Sequence, residues 1–275
     1  MGIAADITAD WHASLAALAW QLEMGVDELM LDAPLDRFAL AEAEAAARAA
    51  EPAPAPRQTT RQAPSEPPPP APKVDPVAEA EAAAGRATSL EALHDALAAF
   101  PHCDLKKGAR NTVFCDGRAD ARVMLIGEAP GRDEDVSGRP FVGRAGQMLD
   151  RMFAEIGLSR SSPDAQAGLY ITNVMPWRPP GNRDPSAEEI AMMLPFLRRH
   201  VALADPALIV VMGNTSARAV LGVSGITRLR GEWTQGLGKP VLPMLHPAYL
   251  LRNPSAKREA WADLLSLRAR LDSVG

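Results

Sequence analysis

Glu128, Asn173 and His246 each stand within two residues of the end of a short apolar run: Val123–Ile126, Leu169–Val174 and Val241–Leu245 respectively. A carboxylate at such a point can orient or activate a water. It can equally be a turn carboxylate satisfied by backbone amides. An asparagine there presents a donor and an acceptor to one base edge, or simply forms a turn. Of five histidines, only His246 stands at the end of such a run.

The flanking segments carry further chemistry. Gly127-Glu128-Ala129-Pro130-Gly131 lets backbone amides approach a ligand closely, and is followed by the acidic patch Asp133, Glu134 and Asp135. With neither GxxxxGK[ST] nor GxGxxG present, this is not a phosphate loop. In Gly138-Arg139-Pro140-Phe141-Val142-Gly143, Phe141 is placed to stack on a planar ring, although a lone loop aromatic also serves as a core plug. Arg178 and Arg183 bracket a rigid Pro-Pro-Gly-Asn loop suited to backbone phosphates. After His246 comes Pro-Ala-Tyr-Leu250-Leu251-Arg252, an apolar pair expected at a loop tip, where a base stack would cover it.

These residues need a scaffold that brings strand ends together. The three runs above and Leu208–Met212 read as buried strands. Leu149, Met152, Phe153 and Ile156 form one helical stripe, and Ile190, Leu194, Leu197 and Val201 another. Strands alternating with helices predict an α/β fold: a three-layer αβα arrangement around a central, mostly parallel four-stranded sheet. Ligands of such sheets bind outside the carboxyl ends of the strands. This domain is expected over residues 81–275. Residues 1–50 are Ala-rich, with Trp11, Leu15, Leu18 and Leu22 on one helical face behind an Asp10 cap. They predict a helical segment that docks a protein partner or the main domain, or is a plain accessory. Residues 51–80 read as a Pro/Ala-rich flexible linker, with nine prolines between Glu51 and Lys73.

Composition narrows the class. The chain has 275 residues and a net charge of −5, but residues 1–100 carry −10 and residues 101–275 carry +5. A basic part behind an acidic front hints at a polyanionic partner. Two cysteines exclude a disulfide scaffold. There is no apolar run of 18 residues and no basic secretory start, so the expectation is a cytoplasmic protein without a membrane segment.

Taken in order and spacing, GEAPGRDED, GRPFVG, ITN, RPPGNR and HPAYLLRNP resemble the family 4 uracil-DNA glycosylases, from about Pro101 to Leu271. The resemblance implies a DNA repair glycosylase that flips uracil out of DNA and hydrolyses its N-glycosidic bond, leaving an abasic site. The uracil pocket would comprise Gly127, Glu128, Ala129, Phe141, Asn173 and His246. Glu128 would handle the water, with Glu134 and Asp135 as outside options, and His246 would stabilise charge on uracil O2. Arg139, Arg178 and Arg183 would face DNA, while Leu250, Leu251 and Arg252 would fill the gap left by the flipped base. The alternative is a non-catalytic or altered-specificity damaged-DNA-binding protein on the same scaffold. The family's four-cysteine iron–sulfur site is matched only at Cys103, with Phe100, Trp177 and Met193 at the other positions. Cys115 falls elsewhere. The expectation is therefore no cofactor and no metal, with hydrophobic packing in place of the cluster, in a monomer acting on uracil-containing DNA in a nucleoid-associated, bacterial-type cytosol.

Overall fold

The computed structural model describes Ser14, Leu15, Ala17, Leu18 and residues 75–274. The chain divides into two units, residues 1–69 and 70–275. The four described residues of the first unit are helical, as the stripe there predicts, with Leu15 and Leu18 exposed. The remainder of that predicted helix, and the proline-rich stretch 51–73, lie outside the described residues.

The folded part of the second unit reaches further back than residue 81. Asp75 accepts hydrogen bonds from the amides of Val77 and Ala78, and Pro76 occupies the first turn, where its missing N–H costs nothing. Helix α1 (Pro76–Arg86) therefore starts inside the predicted linker, and its Ala80 and Ala84 are buried. α1 and α2 (Leu90–Ala99) pack against α6 (Ala187–Ala204), whose Ser186–Glu189 capping box fixes its start. Between them lie α3 (Leu105–Gly108), α4 (Arg132–Ser137) and α5 (Arg144–Ala154). Four more helices follow: α7 (Asn214–Leu221), α8 (Ile226–Leu229), α9 (Pro247–Arg252) and α10 (Lys257–Val274). α5 packs on α9 and α10, and α10 also covers the last long strand.

Among the described residues the sheet has six strands: β1 (Cys115–Gly117), β2 (Val123–Gly127), β3 (Leu169–Asn173), β4 (Leu208–Met212), β5 (Thr234–Gly236) and β6 (Lys239–Met244), in the order β1-β3-β2-β4-β6-β5. The four expected strands are its parallel centre, while β1 and β5 are short antiparallel edges with no apolar pattern to announce them. β2, β3 and β4 are buried along their whole length, as a sheet covered on both faces requires. The register matters for function. Gly127 pairs with Asn173 and Met212 with Met244, so the carboxyl ends of β2, β3, β4 and β6 finish side by side. Among the described residues, no helix is long and apolar enough to cross a membrane.

Candidate active site

The four parallel strand ends open into a cleft of about 640 Å³. Glu128, Ala129, Phe141, Asn173, Arg183, His246 and Arg252 all line it, so most of the predicted pocket is assembled from segments more than 100 residues apart in sequence.

Asn173 forms the floor. It is 7% exposed, and its side-chain oxygen has no hydrogen-bond partner among the described residues. Burying an unsatisfied carbonyl costs about 1–3 kcal/mol, so a ligand donor is the natural partner. The ring of Phe141 covers the end of β2. A Cβ on Gly127 would come 2.5 Å from Phe141 Cε2 and would also overlap Asn173 Oδ1, so glycine is needed for that close approach. Phe141 holds φ = 53°, a left-handed conformation that non-glycine residues rarely adopt.

His246 ends the β6 segment and caps α9. Its Nδ1 accepts the amide hydrogen of Ala248 at 3.1 Å, which leaves the ring proton on Nε2. Burial, with a smaller contribution from Arg252, pushes its pKa down to about 4, so the ring is neutral near pH 7. It stacks near Phe141, with centroids 5.4 Å apart. Glu128 is partly buried, and Thr215 donates its hydroxyl to Glu128 Oε2 at 2.8 Å. Burial raises the Glu128 pKa and Asp184 adds to this, whereas Thr215 and Arg218 oppose it.

The outside options for water handling have structural work instead. Glu134 accepts from the amides of Val142 and Gly143 through one oxygen and of Gly131 through the other, tying the two glycine-rich loops together. Asp135 accepts from the amides of Arg110 and Asn111.

The expected wedge is corrected. Leu250 is fully buried on α9, and it lines a separate apolar groove with Leu251, Met148 and Trp261. The run after His246 forms a short helix, because Pro247 sits at its first position and His246 caps it. Helical geometry turns the leucines toward α5 and leaves Tyr249 and Arg252 on the cleft. Among the arginines, Arg139 is exposed and lies off the cleft. Arg178 donates to Asn182. Arg183 makes a two-pronged pair with Glu189, at 2.6 and 2.9 Å, so its charge is already partnered.

Two contributors escaped the sequence reading. Thr215 lies on the segment after β4, where the rule that ligands bind beyond strand ends would have led to it. Arg160, whose guanidinium reaches the carbonyls of Pro140 and Phe141, carries no comparable signal, because nothing in its sequence neighbourhood reveals what it reaches across the fold.

The positions matched to a cluster do not fit one. Phe100, Cys103, Trp177 and Met193 are all buried in the core. Phe100 packs edge-on to Phe196, and Trp177 donates its indole N–H to Thr112. Only Cys103 offers sulfur as a thiol, and burial pushes that thiol's pKa up, against the thiolate that ligation needs. Cys115 sits apart on β1.

The family model described as the Uracil DNA glycosylase superfamily matches residues 114–265. The chain is 40% identical over 156 residues to a Type-4 uracil-DNA glycosylase of Thermotoga maritima, covering 56% of this chain and 78% of that protein. It is 36% identical over 184 residues to a Type-4 uracil-DNA glycosylase of Pyrobaculum aerophilum, covering 64% and 91%. A DNA polymerase of Bacillus phage SP01 is 28% identical over 156 residues, which span 57% of this chain and 16% of the polymerase.

Proposed function

We propose, from the premise that this chain belongs to the uracil DNA glycosylase superfamily, that it is a DNA repair enzyme that excises uracil by hydrolysing its N-glycosyl bond. The observation that carries the reading is the unpartnered Oδ1 of Asn173, buried on the floor of the cleft beside the ring of Phe141.

Uracil stacked in an intact duplex cannot reach this floor, so the nucleotide is extruded at a cost of a few kcal/mol. The base then lies against Phe141 above Gly127. Asn173 Oδ1 accepts the N3–H of uracil and its amide nitrogen donates to O4. Cytosine has an acceptor at N3 and a donor at N4, so both contacts become clashes. As the glycosidic bond stretches, negative charge gathers on uracil O2. The neutral His246 ring donates to it through Nε2–H, supported by the backbone near Ala129. Glu128, with one oxygen held by Thr215, orients a water toward the sugar carbon through the other.

On this reading the enzyme holds no iron–sulfur cluster and works as a cytoplasmic, nucleoid-associated monomer. Arg178, Arg252 and the exposed Arg139 meet DNA phosphates, and the N-terminal segment is left for a protein partner. Support for the missing cluster comes from the donor set, one buried thiol among Phe100, Trp177 and Met193. Iron analysis on protein purified without oxygen tests it, and stoichiometric iron refutes it. The activity is tested by single-turnover cleavage of a uracil-containing oligonucleotide, followed by alkaline scission of the abasic product. Binding without uracil release would instead support the non-catalytic reading.

A further inference from the structure

Arg160 lies outside the cleft, yet it holds the cleft's aromatic wall. We propose that Arg160 is the positioning residue that locks Phe141 in its stacking conformation, an inference that rests on the uracil-excising reading above. Its Nη1 donates to the carbonyl of Pro140 at 2.8 Å and its Nη2 to the carbonyl of Phe141 at 2.9 Å. Extended backbone points successive carbonyls to opposite sides. The turned conformation at Phe141, with φ = 53°, presents both to one planar guanidinium.

The guanidinium is itself held in place. Nη1 also donates to Asp116 Oδ2 and Nε to Asp150 Oδ1, each at 2.9 Å, and the side chain is 13% exposed. One residue thereby connects the edge strand β1, helix α5 and the Phe141 loop. Its two carboxylate partners neutralise the charge, so the cluster offers DNA no free cation. Gly146, at the start of α5, completes the seat. A Cβ there would overlap the Phe141 carbonyl oxygen, so the α5 backbone closes against the same group that Arg160 binds. Lysine cannot replace this fork, because an ammonium is a point donor without two parallel N–H bonds in one plane.

The test combines Arg160→Lys, Phe141→Ala and the double variant of these two. Arg160→Lys is expected to slow single-turnover uracil release at saturating enzyme by about tenfold or more, because a loosened stacking wall degrades the reacting geometry. Its affinity for uracil-free DNA should stay unchanged, since the phosphate contacts lie elsewhere. In the Phe141→Ala background, Arg160→Lys should cost nothing further, because the group it positions is gone. Parent-like release by Arg160→Lys, or an equal loss in both backgrounds, would overturn the proposal. If the parent itself releases no uracil, the proposed function fails, and the clamp is then judged from a crystal structure of Arg160→Lys. A Phe141 φ that leaves the left-handed region supports the clamp, and one that stays there overturns it.

Discussion

Replacing Gly127 by alanine tests the cleft with a single added carbon. Gly127 has an ordinary φ, so alanine adds no backbone strain and acts only through its volume. The new methyl would lie 2.5 Å from Phe141 Cε2 and 2.6 Å from Cζ, and would overlap Asn173 Oδ1. Ordinary carbon contacts begin near 3.5 Å, so the ring must withdraw by about 1 Å. Neither neighbour is free to do so. Arg160 pins the Phe141 carbonyl, and Asn173 is paired with residue 127 in the β2–β3 register. The strain should therefore appear as a loss of stability of about 1–3 kcal/mol, typical of overpacking. The wall and floor of the base site would also be displaced by about 1 Å, enough to cost roughly 10²-fold in rate. Thermal unfolding reads the first effect, and single-turnover uracil release at saturating enzyme reads the second. A Gly127→Ala protein with parental release and parental Tm would refute the claim that Phe141 and Asn173 close over this glycine to form the site.

Asn173→Ala should slow release by roughly 10²-fold or more, as removal of a donor–acceptor group from a reacting site does. Its Tm should not fall with the activity, because the orphaned buried carbonyl leaves with the side chain. Thr215→Val removes the hydroxyl that favours the Glu128 carboxylate. The Glu128 pKa then rises further, so the acid limb of kcat/KM, where rate is lost as pH falls and the carboxylate protonates, should move to higher pH; Thr215→Ser should restore it. Arg178→Ala and Arg252→Ala should weaken binding to every DNA sequence alike and reduce the salt slope by about 1 each, as titrations at several ionic strengths would reveal. Arg183→Ala should leave that slope unchanged and lower Tm, because its charge is spent on Glu189, which also receives the Ser186 amide at the start of α6.

Where sequence and structure diverge, the cause is geometric. The four apolar runs identified the central strands, since a strand buried on both faces has to be continuously apolar. The edge strands Cys115–Gly117 and Thr234–Gly236 carry no such pattern, because each has one side unpaired and is partly exposed. As a loop, the segment after His246 would expose the pair Leu250-Leu251 at its tip. Once Pro247 and the His246 cap start a helix, the same residues rotate toward α5.

The sequence by itself determined the fold class and which chemical groups stand at the strand ends, because strand periodicity and the position after a strand are local properties. The identities of Phe100, Trp177 and Met193, from which the proposal of a cluster-free enzyme starts, are equally legible there. Only the tertiary structure decided how each group is used. It gave Glu134 and Asp135 to backbone amides, Arg183 to Glu189, Thr215 to Glu128 and Arg160 to the Phe141 carbonyl. A charge or hydroxyl is defined chemically by its sequence, but its partner lies across the fold, and the partner determines whether the group is spent or left for substrate.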